Sequence, residues 1–419
     1  MPGRVCAVPA EGSPRLLANS AWVLSGNLVY GACLALVPLV IGRMGSLDDV
    51  GQYTLGFAVS APVIAVSMVQ LRVLMVTDSA RTVPFSAYRT ARVISTLGAA
   101  LVIGGIALAW GGSQGTVLAI VGAAKCMDAV GDCYLGFFQA QSRLDVMGLS
   151  MILNGVLTLV SVSALLAVGL PMAGAALGSL GSSIVASVVY PRALQRRAAD
   201  DARVRGWDLR GAVSQLRLAS HLGVASGISS LNSNVPRYVL QVFSGTAPQG
   251  VFSALAQLML LVTMTAGAVA QAVLPWFVGS FGTRSTAGLR SALLKVLAGA
   301  ALGGLGFVLV VWAVGGPLLD DVYGPGFAGR GPLLTWLAAG AAIGSLAWFL
   351  DAALSTMRVL APQMWLNLLT LAVTSVACLL LVPDGGPTGA AQAALVGMTA
   401  HLVPRMLLLR RRLGQDARA

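Results

Sequence analysis

The sequence predicts an all-α polytopic membrane protein with about twelve transmembrane helices in two six-helix lobes related by a parallel pseudo-two-fold. Three observations carry that prediction: composition, a recurring apolar run and the placement of arginine. Apolar residues fill 57% of the 419 positions and charged residues only 10%. Mean hydropathy is +0.82, whereas a soluble domain carries roughly 25% charged residues. Apolar runs of about 20 residues, long enough to cross a bilayer as a helix, recur from end to end.

Taken in order, the first span is expected at 20–41, after a Pro/Gly/Arg-containing tail over 1–18 that is not an apolar cleavable leader. That first span would itself act as the targeting signal. Spans follow at 52–74, 91–110, 116–139, 147–169 and 173–193, of which 116–139 is the least apolar. The polar, arginine-rich segment 194–217 then separates an N-lobe, 19–193, from a C-lobe, 218–409. In the C-lobe, spans are expected at 218–243, 250–275, 291–315, 332–355, 363–382 and 388–409, ahead of a basic tail over 410–419.

Arginine placement fixes the expected orientation. With the N-terminus inside, the segments assigned to the cytoplasm collect nearly all the basic residues, among them Arg72, Arg89, Arg92, Arg143, Arg196, Arg217, Arg358 and Arg405. The outer loops hold only Arg43 and Arg330. Basic residues flank spans on the cytoplasmic side, so both termini are expected inside a bacterial plasma membrane. The net charge of +12 therefore reads as topology and attraction to anionic membrane lipids, with no nucleic-acid partner.

The halves also resemble each other. A shift of about 215 pairs Gly174 with Gly389, Arg143 with Arg358, Arg196 with Arg411 and Arg197 with Arg412. Gly51-Gln-Tyr53 and Gly250-Val-Phe252 open matching spans. Six spans per repeat give both halves the same orientation, with a substrate site expected between them. The five cysteines lie mostly in apolar spans, without the paired spacing of a disulfide framework or zinc site. His221 and His401 are too far apart for a metal cluster. No metal and no cofactor is expected. The outer loops hold no His or Glu, so acid–base or metal chemistry on a glycan has no visible machinery and no enzymatic activity is expected.

The informative residues are charges inside spans, which are costly in hydrocarbon and mark pathways by default. Lys125, Asp128 and Asp132 fall at i, i+3 and i+7 on one helix face. They either close an interior gap as ion pairs or line a wet cavity, Lys125 meeting an anionic group and an Asp serving as a coupling-ion site. Arg237 follows Asn232, Asn234 and Pro236 in span seven. About 28 Å up its helix at 1.5 Å per residue, it either snorkels to the outer headgroups or is turned inward by a kink at Pro236. Arg43 ends span one, and Asp351 lies in the inner third of span ten. Arg43, Arg237, Lys125, Asn232 and Asn234 are thus candidate substrate-binding residues, and Asp128, Asp132 and Asp351 candidate coupling-ion residues.

Several ordered motifs match a known family. GRMGSLDDVGQYTLGFA, QLRVLMVTDS, KCMDAVGDCYLGFFQAQSRLD, SLNSNVPRYVLQVFSGTAPQGVFSALA and the YGPGFA loop at 323–328 resemble the Wzx-like polysaccharide or O-antigen flippases of the MATE-like (MOP) exporter superfamily. The resemblance runs from about Asn19 to Arg412. It implies two six-helix lobes in a V around a central cavity. The substrate it implies is a polyprenyl-diphosphate-linked glycan, flipped from the cytoplasmic to the outer leaflet by alternating access. H+ or Na+ would be the coupling ion, and other polysaccharide-assembly proteins would be partners. On the family's pattern Lys125, Arg237 and Arg43 would hold the diphosphate. Gln241 stands near the position of an acid usual after the PRY motif. The rival expectations are a cation-coupled multidrug exporter of the same fold and a membrane-embedded glycosyltransferase or polymerase. The second should carry a sizeable outer loop, which this chain lacks.

Overall fold

Thirteen α-helices build the chain in a computed structural model that describes residues 14–78, 82–198, 206–282, 286–323, 325–356 and 361–416. Arg358, expected to match Arg143, lies outside the described residues, as do 1–13, 199–205 and 417–419 of the expected tails and linker. The first half comprises α1 (Pro14–Met44), α2 (Leu47–Met68), α3 (Leu71–Thr77), α4 (Phe85–Trp110), α5 (Gly112–Gln139) and α6 (Leu144–Ala167). It closes with α7 (Met172–Ser183), which passes through a π-helical turn, Ile184–Val189, into α8 (Tyr190–Ala198). The second half comprises α9 (Leu209–Ser244), α10 (Thr246–Gly282), α11 (Thr286–Tyr323), α12 (Gly331–Thr356) and α13 (Ala361–Asp416). The long last helix is two helices joined at Gly386, where φ is 51°, between the spans expected at 363–382 and 388–409.

Local chemistry sets the boundaries. Helix α1 is described from Pro14, inside the expected tail. Ser46 and Asp49 form a reciprocal capping box at the start of α2, with Asp49 N–H donating to Ser46 Oγ at 3.1 Å and Ser46 N–H to Asp49 Oδ2 at 2.9 Å. Asp208 accepts the Gly211 N–H at 2.8 Å and starts α9 well within the expected linker. One break fell inside an expected span. Val69 and Gln70 are left-handed, at φ 47° and 50°, and split 52–74 into α2 and α3. A β-branched residue there costs about 1–3 kcal/mol, so the surroundings must hold the turn. In the following loop, N–H groups of Val83 and Thr82 bond the Asp78 carboxylate and hold it below the usual carboxylate range.

Nine helices among the described residues are long and apolar enough to cross a membrane. Helices α5 and α9 are as long but more polar, and both carry charges inward. The apolar core joins the halves: Ile41, Val50 and Tyr53 pack in one cluster with Leu240, Val251, Leu255 and Phe327. Helices α1 and α2 meet α9 and α10 there. At the end expected to face outward, α2 and α10 cross at the matched glycines. A methyl group on Gly250 would lie 2.6 Å from the Gly51 nitrogen and 2.7 Å from the Leu47 oxygen, so only glycine permits this approach of backbones. Gln114 donates to Thr246 Oγ1 at 2.9 Å at the same end.

Candidate functional site

A cavity of about 250 Å³ lies between the halves, lined by α1, α2 and α5 on one side and by α9 and α10 on the other. Tyr53, Phe57, Lys125, Asn234, Arg237 and Gln257 are the residues that give it its chemistry. Lys125 donates to Asp128 Oδ2 at 2.7 Å and sits 4.6 Å from the centre of the Phe57 ring, a cation–π geometry. The Asp128 carboxylate is held by neighbours: Asn154 Nδ2 donates to Oδ1 at 2.8 Å and Ser187 Oγ at 2.9 Å. Ser187 lies in the π-helical turn, a device that re-aims side chains and recurs at functional sites. Sequence periodicity cannot show such a turn, so Ser187 was not anticipated; Asn154 was visible only as a polar residue in a span.

Arg237 reaches the same cavity rather than the outer headgroups. Its Nε donates to Ser253 Oγ at 3.1 Å and its Nη1 to Asn234 Oδ1 at 2.5 Å. Gln249 Nε2 supports Ser253 at 2.9 Å, and the Tyr238 hydroxyl crosses the halves to the Ala58 carbonyl. Pro236 removes the donor that the Asn232 carbonyl would otherwise receive. All the groups that hold Arg237 are neutral, and among the described residues no acid lies within ion-pairing distance of it. Lys125 is matched by Asp128, so the cavity carries one positive charge without a counter-charge.

The other candidates lie elsewhere. Asp132 leaves the trio: one turn beyond Asp128 it accepts Arg72 Nη1 and Arg92 Nη2, each at 3.1 Å. Asp351 accepts Arg405 Nε at 2.7 Å, with His401 Nε2 at 3.6 Å. Arg405 also donates to Asn367 Oδ1 at 2.6 Å. Arg92 and Arg405, counted with the inner loops, are in fact 1% and 2% exposed within helices, because each neutralises a buried acid. Arg43 is exposed and donates to the Asp321 carbonyl at 2.7 Å, satisfying an acceptor in the last turn of α11 away from the cavity. Asn232 does not line the cavity, and its buried Oδ1 has no protein partner. Gln241 donates to Thr246 Oγ1 at 3.1 Å, near the Gly51–Gly250 crossing.

Comparisons with known proteins bear on the sequence family and on the fold. Residues 115–281, from α5 into α10, match the family described as polysaccharide biosynthesis protein. A capsular polysaccharide biosynthesis protein, CapF of Staphylococcus aureus, is 22% identical over 262 residues. That alignment covers 62% of this chain and 65% of CapF, just under two thirds of its length. Among solved structures, an inward-facing multidrug resistance MATE transporter of the MOP superfamily superposes with a TM-score of 0.72 at 16% identity, covering 97% of this chain and 99% of that one. An outward-facing one gives 0.60 at 15% identity, covering 98% of each.

The chain is a multi-pass helical membrane protein with the transporter fold of the MOP superfamily. The partial family match and the distant CapF relative are sequence similarities that point the same way as the motifs.

Proposed function

We propose that this chain is a flippase of polysaccharide synthesis, moving a polyprenyl-diphosphate-linked oligosaccharide from the cytoplasmic to the outer leaflet by alternating access. The observation that supports this most is the unmatched Arg237 in a cavity between the halves. A buried charge without a partner is costly, and the natural remedy is an anionic ligand. Diphosphate oxygens would accept from the Arg237 guanidinium, a geometry that arginine satisfies in bidentate fashion. Lys125, drawn between Asp128 and the ligand, would supply a second cation. Sugars cannot enter hydrocarbon without losing their hydrogen-bonded water, and Tyr53, Asn234 and Gln257 offer polar replacements. The prenyl chain would stay in lipid. The protein would sit in a bacterial plasma membrane with both termini cytoplasmic, as the arginine placement suggests, and Asp128 would couple turnover to H+ or Na+.

The test is flux in proteoliposomes loaded with a polyprenyl-diphosphate-linked oligosaccharide. Arg237→Ala should lower initial flux about tenfold, the loss of roughly 1.4 kcal/mol of interaction, and Arg237→Lys should retain part of it. Wild-type flux from Arg237→Ala, or efflux of lipophilic cations by the wild type in place of glycan movement, would overturn the reading.

A further inference from the structure

The second cavity in the first half has no part in the function proposed above. It encloses about 520 Å³ at the opposite end of the bundle from the Gly51–Gly250 crossing. Arg72, Arg92, Asp132 and Gln139 make its polar floor, and Val73 and Val76 its apolar wall. The left-handed turn at Val69–Gln70 directs α3 so that Arg72 lies across the floor. Its Nη1 donates to Asp132 and its Nε to Gln139 Oε1 at 2.6 Å. From the other side Arg92 donates to Asp132 and, at 3.0 Å, to the Met68 carbonyl.

Charge does not balance here. Two guanidinium groups share one carboxylate, and among the described residues no second acid pairs with either. Arg92 is 1% exposed, yet its buried Nε has no partner. A buried donor left unmade costs more than a bond gained, and surplus charge away from water calls for a counter-ion. Depth points to the ligand. Arg92 is seven residues into α4 and Asp132 seven from the end of α5, so both lie about 10 Å below that end at 1.5 Å per residue. Val73 and Val76, 51% and 36% exposed, open the wall outward, where a bilayer would meet it.

We infer that this cavity binds the phosphate of an anionic membrane amphiphile, seating it on Arg72 and Arg92 with its first methylenes along Val73 and Val76. The site is separate from the central cavity, and its occupancy does not depend on what that cavity transports. Basic pockets between helices at this depth suit phosphate headgroups. Two sources share that chemistry, an anionic glycerophospholipid and a polyprenyl phosphate, and binding separates them.

The experiment uses the purified full chain in detergent, titrated with phosphatidylglycerol, a polyprenyl monophosphate, zwitterionic phosphatidylcholine and inorganic phosphate, with bound lipid read by native mass spectrometry. Phosphatidylglycerol or the prenyl phosphate should bind at least tenfold more tightly than phosphatidylcholine, and the tighter of the two identifies the source. Arg72→Gln keeps the Arg92–Asp132 pair and should weaken that binding about tenfold. In a protein already carrying Lys125→Ala and Arg237→Ala, which together remove the cations of the central cavity, Arg72→Gln should still weaken the remaining binding about tenfold. Val76→Asp, on the exposed wall, should weaken it as well and serves if Arg72→Gln does not fold. Unchanged binding in the folded variants, no dependence on Arg72 once Lys125 and Arg237 are altered, or displacement of lipid by equimolar inorganic phosphate would overturn the inference. A flux defect with this binding intact would bear on the central cavity alone.

Discussion

In the first half, Asp128 holds Lys125, a cation that also stacks on Phe57 and lines the cavity between the halves. In the second half, Asp351 holds Arg405, which is 2% exposed and further bonded to Asn367 and to the His401 carbonyl. The two clusters correspond only in part. The shift of about 215 aligns Asn154 with Asn367 and Ser187 with His401 within two residues, but Asp128 on α5 and Asp351 on α12 are 223 residues apart, and Lys125 shares the helix of its acid whereas Arg405 stands on α13. A buried acid–cation pair thus serves a different end in each half. One keeps its cation facing a cavity, where a ligand can draw it away; the other locks its cation into the packing. The difference separates residues that belong to transport from residues that belong to stability.

The largest effect is expected from the locked cluster. Arg405→Ala leaves Asp351 without its cation and Asn367 Oδ1 without its donor. Breaking a buried pair from one side costs about 3 kcal/mol, taken at the low end because Asp351 is 34% exposed. Equilibrium unfolding in mixed detergent measures it. Arg405→Gln combined with Asp351→Asn removes both charges and should recover more than half of the loss. An Arg405→Ala protein as stable as the wild type would contradict the structural role.

Asp128→Asn should do the reverse. The amide keeps the size of the side chain and can still bond Asn154 and Ser187, so stability should fall by only about 1 kcal/mol. Flux should fall about tenfold, near 1.4 kcal/mol of barrier. A Lys125 freed from its carboxylate holds an anion more tightly, and a carrier must release what it binds. Apparent affinity for the glycan substrate should therefore rise while turnover drops. Asp351→Asn, in contrast, should leave flux per folded molecule unchanged. Equal flux losses in the two Asn variants would erase the distinction between the clusters.

Much of this architecture was legible in residues. The apolar runs and the Gly51 and Gly250 motifs placed the helices, because hydrocarbon allows few alternatives. Lys125 and Arg237 stood out because a charge in a span must meet something. Pairing was less legible. Helix periodicity put Lys125, Asp128 and Asp132 on one face, but whether neighbours divide that face depends on which helices arrive there. Arg72 came to Asp132 through the turn at Val69, a β-branched residue that carries no left-handed signal. Arg92 and Arg405 looked like inner-loop charges because counting near span ends cannot tell a snorkelling arginine from a buried one. Ser187 stayed hidden because a π-helical turn shifts the register without a compositional mark.

The finest test compares the aligned pair Ser187 and His401. Ser187 Oγ donates to Asp128 Oδ1 at 2.9 Å and is buried, so Ser187→Ala removes a charge-assisted bond from that carboxylate. A cost of about 1.5 kcal/mol follows. His401 stands 3.6 Å from Asp351 Oδ2, beyond good hydrogen-bond range, and Arg405 already holds the other oxygen at 2.7 Å. The bond that His401 does make, from Arg405 to its backbone carbonyl at 3.0 Å, survives any side-chain change. His401→Gln should therefore alter stability by no more than about 0.5 kcal/mol. The same unfolding titration ranks the two variants. If His401→Gln cost more than Ser187→Ala, the second cluster would depend on its imidazole, and Arg405 would not be the residue that locks it.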